Sequence, residues 1–425
     1  MVIKMFNYKY FDYLSIELID GDRGKNYPKN DEMLEKGYCL FLNAKNVTLN
    51  GFVFDENVFI TKEKDEILRK GKLNRNDIVL TTRGTIGNVG LYDDKITYDN
   101  VRINSGMLII RNNDNNINTK YLYYQLTSPF IRSQIFSLKT GSAQPQIPIT
   151  VLKKLKLIIP DKRIQDKIVR VMDSIINKLT LNNEINNNLF ELMKRTYIEW
   201  FKNYNIPDMT FELKDSELGK IPCDWNVKHL KDVFFFQEGP GIRNWQYVEK
   251  DGTKFINIRC IKDNDLELDT ANMISNEEAD GKYKHFMLNE WDVVVSTSGT
   301  LGRNQIIRKE HLPLCLNTSV IRFKPINGFD EYAFMYNYLI SDEFLNLLDV
   351  MATGSAQRNF GPMHLNKIDL VYPDKDIIKK FNDLMFPVIK NIQNNKSENM
   401  KLSKLRDTLL PKLMNGEIDL DNIEI

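Results

Sequence analysis

The sequence predicts an α+β protein built twice: two copies of an α/β globular domain, separated by two long helices that pair as an antiparallel coiled coil. Three observations carry this. First, blocks repeat in order. Leu73–Gly87, LNRNDIVLTTRGTIG, returns as Leu288–Gly302, LNEWDVVVSTSGTLG, with eight of fifteen positions identical. TGSAQ at Thr140–Gln144 recurs unchanged at Thr353–Gln357, and LKKLKLIIPD at Leu152–Asp161 returns as LNKIDLVYPD at Leu365–Asp374. An ordered set of blocks at matching separations marks an internal duplication. Second, DIVLTTRG, DVVVSTSG, SGMLIIR and TSVIRFK are short β-branched runs bounded by glycine or serine, a strand signature. Third, each copy ends in Pro-Asp, after which the texture becomes helical.

Within each copy a helix is expected between the strands and TGSAQ, over Lys120–Leu126 extending to Leu138 and over Tyr332–Leu348, with its aromatic residues serving as core. After Pro160, Asp161 is a plausible N-cap, and no proline or glycine follows until Pro207. Ile164, Ile168, Met172, Ile175, Leu179, Ile185, Leu189, Leu192, Thr196 and Trp200 recur in steps dominated by three and four, the pattern of a long amphipathic helix of roughly 60 Å. The second helix starts at Asp374 and carries Ile378, Phe381, Met385, Val388, Ile392, Leu402, Leu405, Leu409 and Leu413; Pro387 should kink it or cost stability, and Pro411 marks its last turns. Both turn asparagine-rich midway, at Asn182–Asn188 and Asn394–Asn399, which fits either a register-fixing polar stretch or a compositional bias. Two such narrow stripes bury most economically against each other, which places the globular domains at opposite ends of a rigid spacer.

Composition narrows the function. The 425 residues are 27% charged and 42% hydrophobic, the balance of a folded soluble protein. No apolar run approaches the length of about 20 that spans a membrane, and the opening MVIKMFNYKY is no secretory signal; a cytoplasmic location is expected. Cys39, Cys223, Cys260 and Cys315 are scattered, as are the four histidines, which favours reduced core thiols and no metal site. Phosphate-loop, metalloprotease and nucleophile-elbow motifs are missing, as is the [DN]PP[FY] segment of amino-methyltransferases. GTIGNVG at Gly84–Gly90 lacks the GxG pair of a dinucleotide site. Catalysis by this chain alone is not expected.

Net charge is +1, yet residues 131–170 hold nine basic residues against two acids. That segment is either a polyanion-binding patch or a solvated helix face. The repeated loops carry hydroxyls and glycines at strand ends, with backbone N–H groups available to phosphate. Thr82, Arg83 and Thr85 correspond to Thr297, Ser298 and Thr300, with Arg303 just beyond. Lys139, Ser142, Gln144 and Gln146 in the first copy and Gln357, Arg358 and Asn359 in the second are the candidates around TGSAQ, Gln144 matching Gln357 and Gln146 matching Asn359. The copies share a frame and differ at Arg83 against Ser298 and at Pro145-Gln146 against Arg358-Asn359, as a reader of two different half-sites should.

Together with IPCDWNVKHLKDV (Ile221–Val233), GPGIRNWQYVEKDG (Gly239–Gly252), DGDRGKNYP (Asp20–Pro28) and the closing LRDTLLPKLMNGEI (Leu405–Ile418), these blocks make essentially the whole chain resemble the DNA specificity subunit of type I restriction-modification enzymes. A clear copy of the IPxxW opener is missing from the first half. The resemblance implies target recognition domains at residues 1–160 and 206–373, a first spacer helix at 161–205, and a second spacer helix with a C-terminal tail at 374–425. It adds Arg23, Lys25, Asn26 and Tyr27, and Arg243, Asn244 and Trp245, to the expected DNA-binding residues. It implies double-stranded DNA, two methyltransferase subunits and restriction subunits as partners, with S-adenosylmethionine, ATP and Mg on those partners and no cofactor in this chain. An adaptor binding proteins through its spacer, or a DNA enzyme with an unrecognised site, are the competing classes.

Overall fold

The repeated LNxxD block sets up the first strand of each core sheet. In a computed structural model describing residues 8–138, 146–352, 358–418 and 420, Asp77 accepts from the Asn74 N–H at 2.7 Å and Asp292 from that of Asn289 at 2.9 Å. Asn76 and Trp291 turn the chain with φ of 70° and 71°, and the β-branched run then extends.

The chain divides into two units, residues 1–178 with 402–425, and 179–401. In the first, β1 (Ile16–Asp20), β2 (Asp77–Thr81), β3 (Val89–Tyr92) and β4 (Met107–Asn112) form an antiparallel sheet in the order β1-β4-β2-β3. In the second, β5 (Phe234–Glu238), β6 (Val293–Ser296), β7 (Asn304–Ile306) and β8 (Val320–Pro325) repeat that order as β5-β8-β6-β7. A smaller sheet accompanies each. Cys39–Leu42 lies between Phe59–Ile60, antiparallel, and Val101–Ile103, parallel; Gly252–Ile256 lies between Met273–Ser275, antiparallel, and Leu314–Leu316, parallel. Alternation along the strands serves both neighbours. Ile78, Leu80, Leu108 and Ile110 face helices, while Val79, Met107 and Ile109 face the small sheet. Val293, Val295, Ile321 and Phe323 repeat the helix-facing set, and Val294 and Val320 the other.

The first copy has an opening strand although it lacks the IPxxW signature. Tyr8–Tyr10 pairs with Lys156–Ile158, and Asn226–His229 pairs with Asp369–Tyr372. Trp225 of the opener is fully buried against Phe201, Tyr204 and Phe211.

Each single helix expected before TGSAQ is two. α1 (Thr119–Thr127) and α2 (Pro129–Ser137) break at Ser128, whose hydroxyl accepts from Ile131 N while Pro129 takes the first helical position. A residue preceding proline is steered away from helical ψ. The long α3 (Lys162–Phe201) follows, capped as expected by Asp161 Oδ1, 3.0 Å from Ile164 N. In the second unit, α4 (Tyr332–Leu339) and α5 (Asp342–Met351) break at Ser341, which caps Phe344 N. Then comes α6 (Lys375–Met414), which continues through Pro387 and Pro411 as uninterrupted helix.

The long helices run antiparallel in both units. In the first, Ile164, Ile168 and Met172 pack with Leu410, Leu413 and Met414 and with Tyr121 and Tyr124 of α1. In the second, Phe201 stacks edge-on to Phe381 at 4.8 Å and Phe334 at 5.0 Å. The second unit also joins the two helices by a polar ladder: Asn182 Nδ2 donates to Glu398 at 2.7 Å and Asn399 at 2.9 Å, and Asn395 Nδ2 donates to Asn186 at 2.9 Å. Four residues forward on one helix match four residues back on the other. The buried line here is Asn182–Asn186–Met193, while Ile185 and Leu192, expected inside, are exposed. The heptad seam passes through the asparagines, so the neighbouring apolar residues fall off it. Cys39, Cys260 and Cys315 are buried thiols as expected, with burial pushing Cys39 and Cys315 up to about 12; Cys223 is exposed.

Candidate nucleic-acid interface

In each unit, loops from distant parts of the sequence meet at one end of the core sheet. In the first, β2 runs into a turn closed by a Thr81 hydroxyl bond to the Thr85 carbonyl and by Gly87 N to Thr81 O at 3.0 Å. Gly84 and Gly87 supply φ of 71° and 90°, a region nearly reserved for glycine. In the second, Ser296 Oγ donates to Thr300 O at 2.5 Å, Gly302 N donates to Ser296 O at 3.0 Å, and Gly299 and Gly302 have φ of 70° and 74°.

A bridge then joins this turn to the segment after TGSAQ. Arg83 pairs with Gln146, and Ser298 with Asn359; Ile147 N donates to Thr82 O and Phe360 N to Thr297 O, each at 3.2 Å. Arg83 Nε donates to Gln146 Oε1 at 3.2 Å, and both side chains are exposed. The positions at which the two copies differ in sequence are therefore neighbours in each unit.

A third loop is held close by glycine. A Cβ on Gly21 would stand 2.1 Å from the Asn104 carbonyl oxygen, and one on Gly239 would stand 2.4 Å from the Asn317 carbonyl. In the first unit Asp22 accepts from Gly24 N at 2.7 Å and Arg69 N at 2.8 Å, and these backbone donors hold its carboxyl below the usual range. Arg23 then reaches Asp20 at 3.1 Å and Ser105 O at 3.2 Å, one residue from Gly106, whose carbonyl receives the Arg83 N–H. In the second unit buried Gln246 bonds Glu278 at 2.7 Å and Tyr283 at 2.9 Å and accepts from Arg243 N at 3.0 Å. That anchor leaves Arg243, Asn244 and Trp245 outside, with Trp245 79% exposed.

The expected residues thus separate. Arg23, Lys25, Arg83, Thr85 and Gln146 face solvent in the first unit; Arg243, Asn244, Trp245, Thr300, Arg358 and Asn359 do so in the second. Others hold the scaffold. Thr82 is buried, with its N–H and hydroxyl both on Gly106 O, and Thr297 is buried with its N–H on Ser319 O. These N–H groups, expected to be available to phosphate, are taken by the protein. Ser298 is buried, Arg303 is paired with Asp263 at 2.6 Å, and Tyr27 lies half-buried, edge-on to Phe41 at 5.7 Å. Asn26 donates to Ile67 O at 3.4 Å, and Arg358 is tied to Asp349 at 2.7 Å. Lys139, Ser142, Gln144 and Gln357 lie outside the described residues.

Some cations of the basic segment 131–170 are engaged by the protein. Lys153 pairs with Asp12 at 2.9 Å, Lys162 with Asp166 at 3.7 Å, and Lys167 reaches Leu420 O at 2.6 Å.

A further repeat, outside the residues expected to bind DNA, lies at the same end of each sheet. Phe41-Leu42-Asn43-Ala44-Lys45 matches Phe255-Ile256-Asn257-Ile258-Arg259. In both, the asparagine side chain accepts from the basic residue's N–H at 2.9 Å. The signal was a shared Phe, Asn and positive charge, 214 residues apart, close to the 213 separating the TGSAQ copies.

Among the described residues no helix is long and apolar enough to cross a membrane. The type I restriction modification DNA specificity domain family matches residues 16–191 and again 222–404. The MjaIX specificity subunit of the type I restriction enzyme from Methanocaldococcus jannaschii is 24% identical over 369 residues, covering 82% of this chain and 79% of that one. The HindI specificity subunit from Haemophilus influenzae is 22% identical over 468 residues, covering 94% and 98%. The crystal structure of the type I restriction-modification S subunit from M. genitalium matches with a TM-score of 0.60 at 16% identity over 97% of each chain, a likeness of fold. With both copies matched, the chain belongs to the type I restriction-modification DNA specificity family, as a non-catalytic specificity subunit.

Proposed function

We propose that this subunit reads a bipartite, asymmetric target in double-stranded DNA, one recognition domain per half-site, with residues 1–160 and 206–373 as those domains, 161–205 as the first spacer helix and 374–425 as the second with a C-terminal tail. The observation that carries this is the repeated bridge, which presents exposed Arg83 and Gln146 in one copy and exposed Asn359, paired with buried Ser298, in the other, different side chains on one repeated scaffold. Arginine and amide side chains are the usual readers of base edges. Exposed Arg23, Lys25, Arg243 and Asn244 beside them suit phosphate and sugar contacts, which orient a protein without reading sequence. Trp245, almost bare of protein contacts, suits stacking on sugar or base.

The spacer helices dock two methyltransferase subunits. Leu181, Ile185 and Leu192 of α3 support this: they fall on the outer side of the helix pair and are each about half exposed, and scattered apolar residues at helical spacing suit a partner surface. S-adenosylmethionine is then bound by those partners, and ATP and Mg by restriction subunits that join them. Methylome sequencing of a host expressing this chain with its methyltransferase tests the reading directly. A methylated motif of two unlike halves is expected, and exchanging residues 1–155 for another member's should alter one half alone. A continuous motif, or both halves changing together, overturns it.

A further inference from the structure

The paired turns at Asn43–Asn46 and Asn257–Cys260 have no role in the reading above. Each begins where a strand of the small sheet ends, and each is closed by its asparagine: Asn43 Oδ1 accepts from Lys45 N, and Asn257 Oδ1 from Arg259 N, both at 2.9 Å. Each also touches the glycine turn of the recognition face. Thr85 Oγ1 donates to Ala44 O at 3.3 Å, and a Cβ on Gly84 would meet the Ala44 methyl at 3.5 Å. In the other unit a Cβ on Gly299 would meet Ile258 Cδ1 at 3.4 Å. A cation therefore stands at the same place in both copies, next to the turn that carries Arg83 or Ser298.

Lys45 is exposed and paired with exposed Glu56 at 2.6 Å. Arg259 is exposed too, and no hydrogen bond or ion pair of its side chain occurs among the described residues. The ion pair is thus not what the two copies share; the charge, its capped turn and its position are. Charge that persists while the adjacent reading pair changes belongs to the part of the ligand that is the same in both half-sites. We infer that Lys45 and Arg259 are equivalent phosphate contacts, one to the DNA backbone at each half-site, setting how deeply each recognition face seats without reading bases.

This rests on the bipartite reading and is tested separately from it. The full chain, purified with its methyltransferase subunits, is titrated across salt concentrations with random-sequence duplex DNA and with duplex carrying its methylated motif. Each neutralised phosphate contributes about 0.9 to the slope of log affinity against log salt. Lys45→Gln and Arg259→Gln should each lower the slope by about 0.9 on the motif duplex, additively in the double variant. The methylated motif should stay unchanged, and Lys45→Arg should retain the wild-type slope. A wild-type slope in both single variants overturns the assignment while leaving the bipartite reading intact. A changed base preference in one half-site overturns it in favour of base contact. Wild-type complex that binds neither duplex overturns the bipartite reading and this inference with it.

Discussion

Arg83 stands at a strand end with its N–H on Gly106 O at 3.1 Å and its Nε on Gln146 at 3.2 Å. The amide thus aims the guanidinium without neutralising it. Arg83→Ala removes no core contact, so its effect on stability should stay within about 0.5 kcal/mol. Loss of a bidentate guanine contact would remove about 1–3 kcal/mol of discrimination, and relaxed preference at one half-site by methylome sequencing is the expected result. Gly239 is the opposite case. Its α-carbon lies so close to Asn317 that a methyl must displace backbone, and Gly239→Ala should cost about 1–3 kcal/mol, read as a lower unfolding temperature. Residue types hinted at this division only partly. Thr82 and Thr85 look alike in sequence, yet Thr82 is buried with its hydroxyl on Gly106 O, while Thr85 is exposed and donates to Ala44 O. Local polarity does not reveal which threonine the fold buries. Arg303 looked free because its partner, Asp263, is forty residues away.

At the scale of elements, α6 is fastened to the second unit by a buried ionic cluster. Arg308 holds Asp265 at 2.8 and 2.7 Å and Glu310 at 2.7 Å, and Lys396 of α6 donates to Gln305 at 2.9 Å. His311 Nδ1 accepts the Arg308 N–H at 3.1 Å, which requires that nitrogen unprotonated. Burial, reinforced by Arg308, lowers its pKa to about 4, against the pull of Asp265 and Glu310. The unfolded chain takes up this proton from about pH 6.5 downward and the folded chain only near 4, so stability falls with pH through that window, by roughly 3 kcal/mol at most. His311→Gln should flatten the drop in unfolding temperature between pH 6.5 and 4 relative to wild type. Glu310, held near 2 by Ser397 and Arg308 against the cost of burial, adds its own loss only below about 4.5. None of this was visible in the sequence, where His311 was one scattered histidine. The long helices were: Asp161 marked the start of α3, and its heptad pattern reached Phe201. The breaks at Ser128 and Ser341 were missed because aromatic periodicity continues across both.

For the whole molecule, the asparagine ladder fixes the register of the two long helices. Adding four residues to one helix alone would set Asn182 and Asn186 against the wrong partners. Matched insertions, between Leu179 and Leu181 in α3 and between Lys401 and Leu402 in α6, keep the ladder and add about 6 Å. On the bipartite reading this should lengthen the gap between half-sites by one or two base pairs, at 3.4 Å each, with both halves unchanged in the methylome. An active variant with an unchanged gap would mean that the helices do not measure distance.

The bridged pairs also bear on how such a subunit diversifies. Arg83, Gln146 and Asn359 are exposed and belong to no apolar cluster, whereas Thr82, Thr297, Gly87, Gly302 and the strands leading into the turns are buried. On the bipartite reading, substitutions at Arg83, Gln146 and Asn359 are therefore screened for what they recognise and hardly at all for whether the chain folds, with buried Ser298 the exception. Recognition can drift through many alternatives without crossing an unstable intermediate, and the two copies can drift independently. A lineage that profits from novelty in its targets would find that novelty within single substitutions.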